Sequence, residues 1–260
     1  MRDLAGRTAL LTGASWGLGP VIARRLHREG LTFVLSARRE PELQRLAGEL
    51  AGSRVVVADL ARRDEAERLA AEAGPVNILI ANAGVPVSGL LTDLEVAHID
   101  RGLDVNLRSA IVLTRLLLPG MLERRSGHVV LMASLAGQIP GRRNSVYNAT
   151  KFGLRGFGHA LRLELRGTGV GASLVSPSYV SEAGMWAETG QHSPFEVTPR
   201  RVAEAVLQAI REDKAEVTVA PFFGRFGGRL ALVAPSFFLR VASRSAEIPE
   251  DAVAQHRAKR

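Results

Sequence analysis

The stretch that most restricts how this chain can fold is Thr8-Ala9-Leu10-Leu11, then Thr12-Gly13-Ala14-Ser15-Trp16-Gly17-Leu18-Gly19, then Pro20-Val21-Ile22-Ala23-Arg24-Arg25-Leu26. The first part is a short apolar run with the character of a buried strand. The last part spaces its apolar residues as a helix does, and Pro20 suits a first helical turn, where its missing N–H costs nothing. Between them lie three glycines in the order Gly-x-x-x-Gly-x-Gly. A strand, a glycine turn and a helix N-terminus together gather bare backbone N–H groups at the positive end of a helix dipole. Such a place suits a pyrophosphate.

The rest of the chain repeats the alternation. Strand-like runs fall at 8–12, 32–36, 54–58, 77–81, 128–133, 170–175 and 215–219. Helical stretches lie near 18–29, 41–51, 63–73, 93–105, 107–125, 145–166 and 199–212. This predicts an α/β fold, a doubly wound parallel sheet of about seven strands with helices on both faces. With 260 residues and 46% hydrophobic content, one large core is expected, over 1–222, followed by an apolar and basic extension over 223–260. Residues 181–198 have no clear period and read as a loop or short helices. In such sheets ligands bind beyond the carboxyl ends of the strands. Gly13, Arg38, Asp59, Asn82, Ser134 and Pro177 all fall at or just after those ends, which predicts one shared site.

Several function classes are disfavoured. The chain has no cysteine, so it has neither a disulfide framework nor a thiolate nucleophile or metal ligand. His98, His128, His159 and His192 show no metal-ligand spacing, and no metal is expected. No run of 18 or more apolar residues occurs, so no ordinary membrane span is expected. The N-terminus lacks the apolar segment of a secretory signal, which leaves the cytoplasm as the expected location. The net charge of +8 comes almost wholly from arginines interleaved with acids, without a basic stripe carrying aromatics. Nucleic acid is therefore not an expected partner.

Tyr147 and Lys151, in Tyr-Asn-Ala-Thr-Lys, share one face of a predicted helix. A phenol near its ordinary pKa of ~10 is a poor acid or base at neutral pH. A fixed ammonium beside it favours the phenolate and draws the pKa toward the working range. The second strand ends Val34-Leu35-Ser36-Ala37-Arg38-Arg39, which has no acid to accept from a ribose 2′-hydroxyl. Arg38, with Arg39 beside it, suits a 2′-phosphate instead.

The ordered landmarks Gly13, Gly17 and Gly19, then Asp59, Asn82-Ala83-Gly84, Asn106, Ser134, Tyr147 and Lys151 resemble those of the short-chain dehydrogenase/reductase family, from about residue 6 to about residue 220. The resemblance implies an NADP(H)-dependent oxidoreductase interconverting a ketone or aldehyde and an alcohol. It implies a catalytic set of Asn106, Ser134, Tyr147 and Lys151, with Asn106 supporting a water relay to the lysine. It further implies that the cofactor is held by Gly13, Ser15, Trp16, Gly17, Leu18 and Gly19, by Arg38 and Arg39, by Asp59 and Leu60 at the adenine, and by Asn82, Ala83 and Gly84 at the ribose. Tyr147, Lys151, Pro177 and Val180 would meet the nicotinamide side. The alternative is a cofactor-binding sensor or scaffold that kept the fold and lost the chemistry.

One stretch departs from the family, which usually reads Pro-Gly-x-Val-x-Thr there. This chain has Pro177-Ser178-Tyr179-Val180-Ser181-Glu182. Ser178 would take a conformation that glycine accepts more freely, and Glu182 replaces a threonine that helps fix the nicotinamide. Met185, Trp186 and Phe195 are candidates for an apolar substrate wall, implying a hydrophobic small-molecule substrate, and a homo-oligomer is expected. Leu230 to Leu239, flanked by Arg225, Arg229, Arg240 and Arg244, is too short to span a bilayer. It remains open as a subunit interface or substrate cover, a packed helix, or a peripheral membrane contact.

Overall fold

The computed structural model of the protein describes residues 3–242. Arg244 and the rest of the extension beyond 242 lie outside the described residues. Seven strands form one parallel sheet: β1 (Thr8–Thr12), β2 (Thr32–Ala37), β3 (Arg54–Val57), β4 (Ile78–Ala81), β5 (Gly127–Met132), β6 (Val170–Pro177) and, at its edge, β9 (Glu216–Val219). Their spatial order is β3-β2-β1-β4-β5-β6-β9, so the winding reverses between β1 and β4. That reversal leaves a crevice at the carboxyl ends, where the glycine turn begins. The expected strands and the expected class are both present.

Successive residues of each strand feed opposite layers, as a period of two requires. Leu11, Phe33, Leu35, Ile80, Val130 and Val175 pack with α1 (Leu18–His27), α2 (Glu40–Glu49) and α7 (Pro199–Glu212). Leu10, Val34, Leu79, Val129, Leu131 and Leu174 pack with α3 (Glu65–Ala73), α5 (Ser109–Glu123) and α6 (Ser145–Glu164). Leu10, Leu11, Leu35 and Leu79 are wholly buried. Each such side chain contributes roughly 1.5–3 kcal/mol of hydrophobic stabilisation, which fixes the frame beneath the site.

The two helices expected near 93–105 and 107–125 are one continuous rod. α4 (Val96–Leu103) runs through a π-helical turn at Asp104–Arg108 into α5. The rod from Val96 to Glu123 is long and apolar enough by composition to cross a bilayer. It instead lies along the sheet and buries Ala110, Leu113 and Met121 in the second core layer. Two further elements escaped the sequence: the short pair β7 (Tyr179–Val180) and β8 (Glu196–Val197), which brackets the loop between them. The chain then adds α8 (Phe222–Val233) and α9 (Pro235–Ala242).

Candidate active site

The glycine turn is built so tightly that side chains are excluded from it. A Cβ on Gly19 would lie 2.3 Å from the Gly13 carbonyl oxygen and 2.7 Å from Ala14 Cα. Gly13 and Gly17 hold φ values of 65° and 63°, and a Cβ on Gly13 would lie 2.9 Å from Ala83 Cα. Thr12 and Asn82 lock this geometry across the crevice. Thr12 Oγ1 accepts from the Asn82 and Ala83 amides, each at 3.0 Å. Asn82 Nδ2 donates back to the Thr12 and Gly13 carbonyls at 3.0 and 3.2 Å. At the start of α1 no side chain caps the amides and no acid occupies the first turn. Donors and dipole are thus left for an anion, and the cradle fits the pyrophosphate that the sequence implied.

Arg38 stands exposed just past β2 and has no partner among the described residues. Its neighbour is already engaged: Arg39 donates to the Ser15 carbonyl at 3.3 Å and pairs with Glu42 at 3.5 Å. The two arginines are therefore unequal, and Arg38 alone is unengaged toward a phosphate. Asp59 Oδ1 accepts from the Ala61 amide at 3.1 Å, which shapes the turn that tucks Leu60 into the core.

Beyond β5 the chain breaks into a short 3-10 turn that Ser134 caps, its Oγ accepting from the Ala136 amide at 3.1 Å. Ser134 Oγ also donates to the Pro177 carbonyl at 3.4 Å and hydrogen-bonds with Tyr147. Asn148, which the sequence reading missed, ties this turn to α6. Its Nδ2 donates to the Ala136 and Ile139 carbonyls at 2.6 and 2.9 Å, and its Oδ1 accepts from Gly141 N at 3.1 Å. An asparagine next to the tyrosine was the available signal, since a buried amide needs four partners and so anchors loops.

Lys151 is buried, and its Nζ donates to the Met132 carbonyl at 2.9 Å and lies 5.6 Å from the Tyr147 ring centre. Burial brings its ammonium down to about 8. Burial also pushes the Tyr147 phenol up to about 12, against the opposing hydrogen bond from Ser134. The expectation that Lys151 draws the phenol pKa down is thus not met in the protein alone. Desolvation outweighs an ammonium held off the hydroxyl by its bond to Met132.

Asn106 is only 1% exposed, unlike most asparagines in the middle of a helix. It sits in the π-helical turn, accepts from Val85 N at 2.7 Å and donates to Val85 O at 2.9 Å. It also reaches Thr150 Oγ1 at 3.4 Å. Its side chain is consumed in holding the chain after β4 against α6, one position from Gly84.

The segment after β6 corrects another expectation. Ser178 does not adopt positive φ; among the described residues of this segment that are not glycine, only Glu182 does, at 61°. Ser178 instead bonds through Oγ to the Phe195 carbonyl and through N to Val219 O at 2.9 Å. Trp186 stacks against Tyr179 with ring centres 4.1 Å apart and donates to Glu196 at 3.0 Å. Glu196 also accepts from Ser193 N at 2.7 Å, so one carboxylate organises the loop between β7 and β8. The loop leans into the crevice: the Met185 methyl lies 3.8 Å, and Lys151 Nζ 3.9 Å, from where a Gly84 Cβ would be. Val180 packs on the core, while Phe195 faces α8. Among the described residues no cluster of acids and histidines has metal-binding geometry.

A glycine cradle after β1, a partnerless arginine after β2, and Ser134, Tyr147 and Lys151 beyond β5 lie along the same carboxyl edge of the sheet. Residues 7–194 match the family model for short chain dehydrogenase. Ketoacyl reductase HetN of Nostoc is 42% identical over 230 residues, covering 84% of this chain and 80% of that protein. An uncharacterised oxidoreductase of Staphylococcus aureus is 34% identical over 234 residues, covering 85% of this chain and all of that protein. Among solved structures, a variant actinorhodin polyketide ketoreductase with NADPH superposes with a TM-score of 0.78 at 31% identity, covering 86% and 99% of the two chains. Serine dehydrogenase in its closed form with NADP+ gives 0.75 at 29% identity, covering 83% and 95%. The glycine cradle, the Ser134–Tyr147–Lys151 grouping and these likenesses lead to one conclusion: the chain belongs to the short-chain dehydrogenase/reductase family of oxidoreductases.

Proposed function

We propose that the protein is an NADP(H)-dependent oxidoreductase that interconverts a ketone or aldehyde and an alcohol on an apolar substrate. The observation that carries this reading is the convergence of Ser134, Tyr147 and Lys151 at the carboxyl end of β5, across from the glycine turn. Bound NADPH would supply the hydride. Gly13, Gly17 and Leu18 would offer its pyrophosphate backbone donors, Gly19 would give it room, Arg38 would hold its 2′-phosphate, and Lys151 its ribose hydroxyls. A phenol held near 12 keeps its proton at neutral pH, so Tyr147 serves as the acid that protonates the carbonyl oxygen. Ser134 donates to the same oxygen and stabilises the charge that develops there. Asn106 and Asn148 act as positioning residues for the two sides of the crevice.

NADP(H) is supported by the lone Arg38 and by neighbours solved with that cofactor. The carbonyl is supported by relatives named ketoacyl reductase and polyketide ketoreductase. Met185, Trp186 and Phe195 give the loop side an apolar character that favours a hydrophobic substrate. Self-association is supported by apolar side chains left exposed on α4–α6, among them Val96, Leu116, Phe152 and Leu163.

The test is NADPH oxidation against a panel of ketones and aldehydes, compared with Tyr147→Phe. Turnover should fall by about 10²–10⁴-fold in the variant, with NADPH affinity little changed. Tight NADPH binding without turnover on any member of the panel would instead favour a sensor. Because burial pushes the phenol up to about 12, alcohol oxidation should rise with pH from neutrality until about 8, where the loss of charge on Lys151 sets in. Carbonyl reduction should hold steady and decline only above about 8, as Lys151 loses its charge.

A further inference from the structure

Helix α8 is patterned inside out. Its buried positions are the small residues Gly224, Gly228 and Ala231, which recur at helical spacing and form one stripe. That stripe sits on the turn after Ser134: a Cβ on Gly228 would lie 3.3 Å from Leu135 Cδ1, and one on Gly227 3.7 Å from Ile139 Cδ1. Phe222, Phe226 and Val233 project from the opposite side, 67%, 58% and 85% exposed. At 100° per residue these three lie within about 40° of one another, with Arg229 beside them and Arg225 on the flank. On α9, past Pro235, Phe237 and Val241 lie about 40° apart and are both exposed, which adds a second short apolar face.

The charge on the two helices themselves has one sign. Residues 217–242 contain Arg225, Arg229 and Arg240 and no aspartate or glutamate. Arg225 and Arg229 have no partner among the described residues. Arg225 also lines an open cleft whose charges are mixed, with Arg200 and Arg201 beside Glu182 and Glu204, so the uniform charge belongs to α8 and α9 themselves. An ordinary surface helix turns its large apolar side chains inward and its charges outward. Here the inward face is too small to take them, and packing on the turn cannot be the reason for the phenylalanines.

A twofold contact between two copies would set this face against itself. The arginines would then meet arginines, with no carboxylate on the patch to offset them. An anionic lipid surface complements both features, taking the aromatic face into its interfacial region and the guanidinium groups at its headgroups. The helices have 12 and 8 residues, well under the ~20 that a span requires. We propose that α8 and α9 dock the protein on the surface of an anionic phospholipid bilayer, lying in its plane. This inference does not rest on the substrate reading, and its readout is binding alone.

The experiment uses the full chain with sedimenting vesicles of phosphatidylcholine, with and without phosphatidylglycerol. Binding is expected on the anionic vesicles and should weaken with salt. Phe222→Ser/Phe226→Ser/Val233→Ser should abolish it, while NADPH binding reports that the crevice is intact. Arg225→Gln/Arg229→Gln should weaken it roughly 30-fold, from about 1 kcal/mol per charge. This second variant leaves the apolar face alone and keeps the test valid if the first loses helix α8. Failure of the unaltered protein to bind anionic vesicles would overturn the proposal, as would undiminished binding by both variants. Equal binding to neutral and anionic vesicles would overturn its electrostatic half. A smaller oligomer in the triple variant, with no vesicle binding by the parent, would assign the face to a second copy.

Discussion

Two glycine-bearing segments of this protein use the same residue to opposite ends. In the turn between β1 and α1, glycine removes side chains so that backbone meets backbone: Gly13 approaches Ala83, and Gly19 approaches the Gly13 carbonyl. What is gained is an open row of N–H groups at a helix start. In α8, glycine lets a helix settle onto the turn at residues 135–139, and what is gained is displacement of large side chains outward. The first segment presents polar backbone to a small anion. The second presents phenylalanine and arginine to an extended surface. The difference lies in what surrounds each glycine. In the turn every near neighbour is main chain or a hydrogen-bonded amide, whereas in α8 the neighbours are mostly side chains.

The contrast makes its largest prediction at Gly19. An alanine methyl there meets only main-chain atoms, at 2.3 and 2.7 Å, which cannot move without opening the turn. Overpacking of this kind costs about 1–3 kcal/mol. If that strain falls on the binding geometry, Gly19→Ala weakens NADPH by roughly 10- to 100-fold in a fluorescence titration. An unchanged affinity would mean that the turn does not carry the cofactor.

The next effect separates the two arginines after β2. Arg38→Glu removes a charge-assisted contact worth about 1.5–3 kcal/mol, so NADPH should weaken roughly 10- to 100-fold while NADH does not. Arg39→Gln should matter less, because Arg39 is already held by Ser15 and Glu42. Equal losses in the two variants would dissolve the distinction drawn from their partners.

That distinction marks the limit of what the sequence discloses. The strands, the glycine turn and the Ser134, Tyr147 and Lys151 positions are legible because each follows from a local rule: period, turn chemistry or helical spacing. What stayed hidden depends on partners distant in sequence. Asn148 looks like any polar helix residue until its amide is seen to hold Ala136, Ile139 and Gly141. Asn106 is buried only because the chain after β4 offers Val85 both an N–H and a carbonyl to it. The π-helical turn at Asp104–Arg108 shifts hydrogen-bond register without breaking apolar period, so it read as a gap between two helices. The effect of Lys151 on Tyr147 is hidden for the same reason, since spacing gives proximity but not the desolvation of both groups or the pull of the Met132 carbonyl.

The smallest effect is the sharpest check on the comparison. A methyl at Gly224 would lie 3.3 Å from Ala220 Cβ, which a slight shift of the helix would relieve, and 3.4 Å from Phe195 Cδ1 on a ring that is partly exposed. Alanine also gains up to about 1 kcal/mol over glycine inside a helix. The two contributions oppose each other, so Gly224→Ala should change stability by less than about 1 kcal/mol, read as a shift of a few degrees in melting temperature. NADPH affinity should not move, because α8 touches the turn after Ser134 and the Phe195 ring but none of the glycine cradle. A tenfold change in NADPH affinity from this one methyl would show that α8 is coupled to the crevice through Leu135 and Phe195. The outward face would then be part of the active site's control, and the two glycine segments would be doing one job.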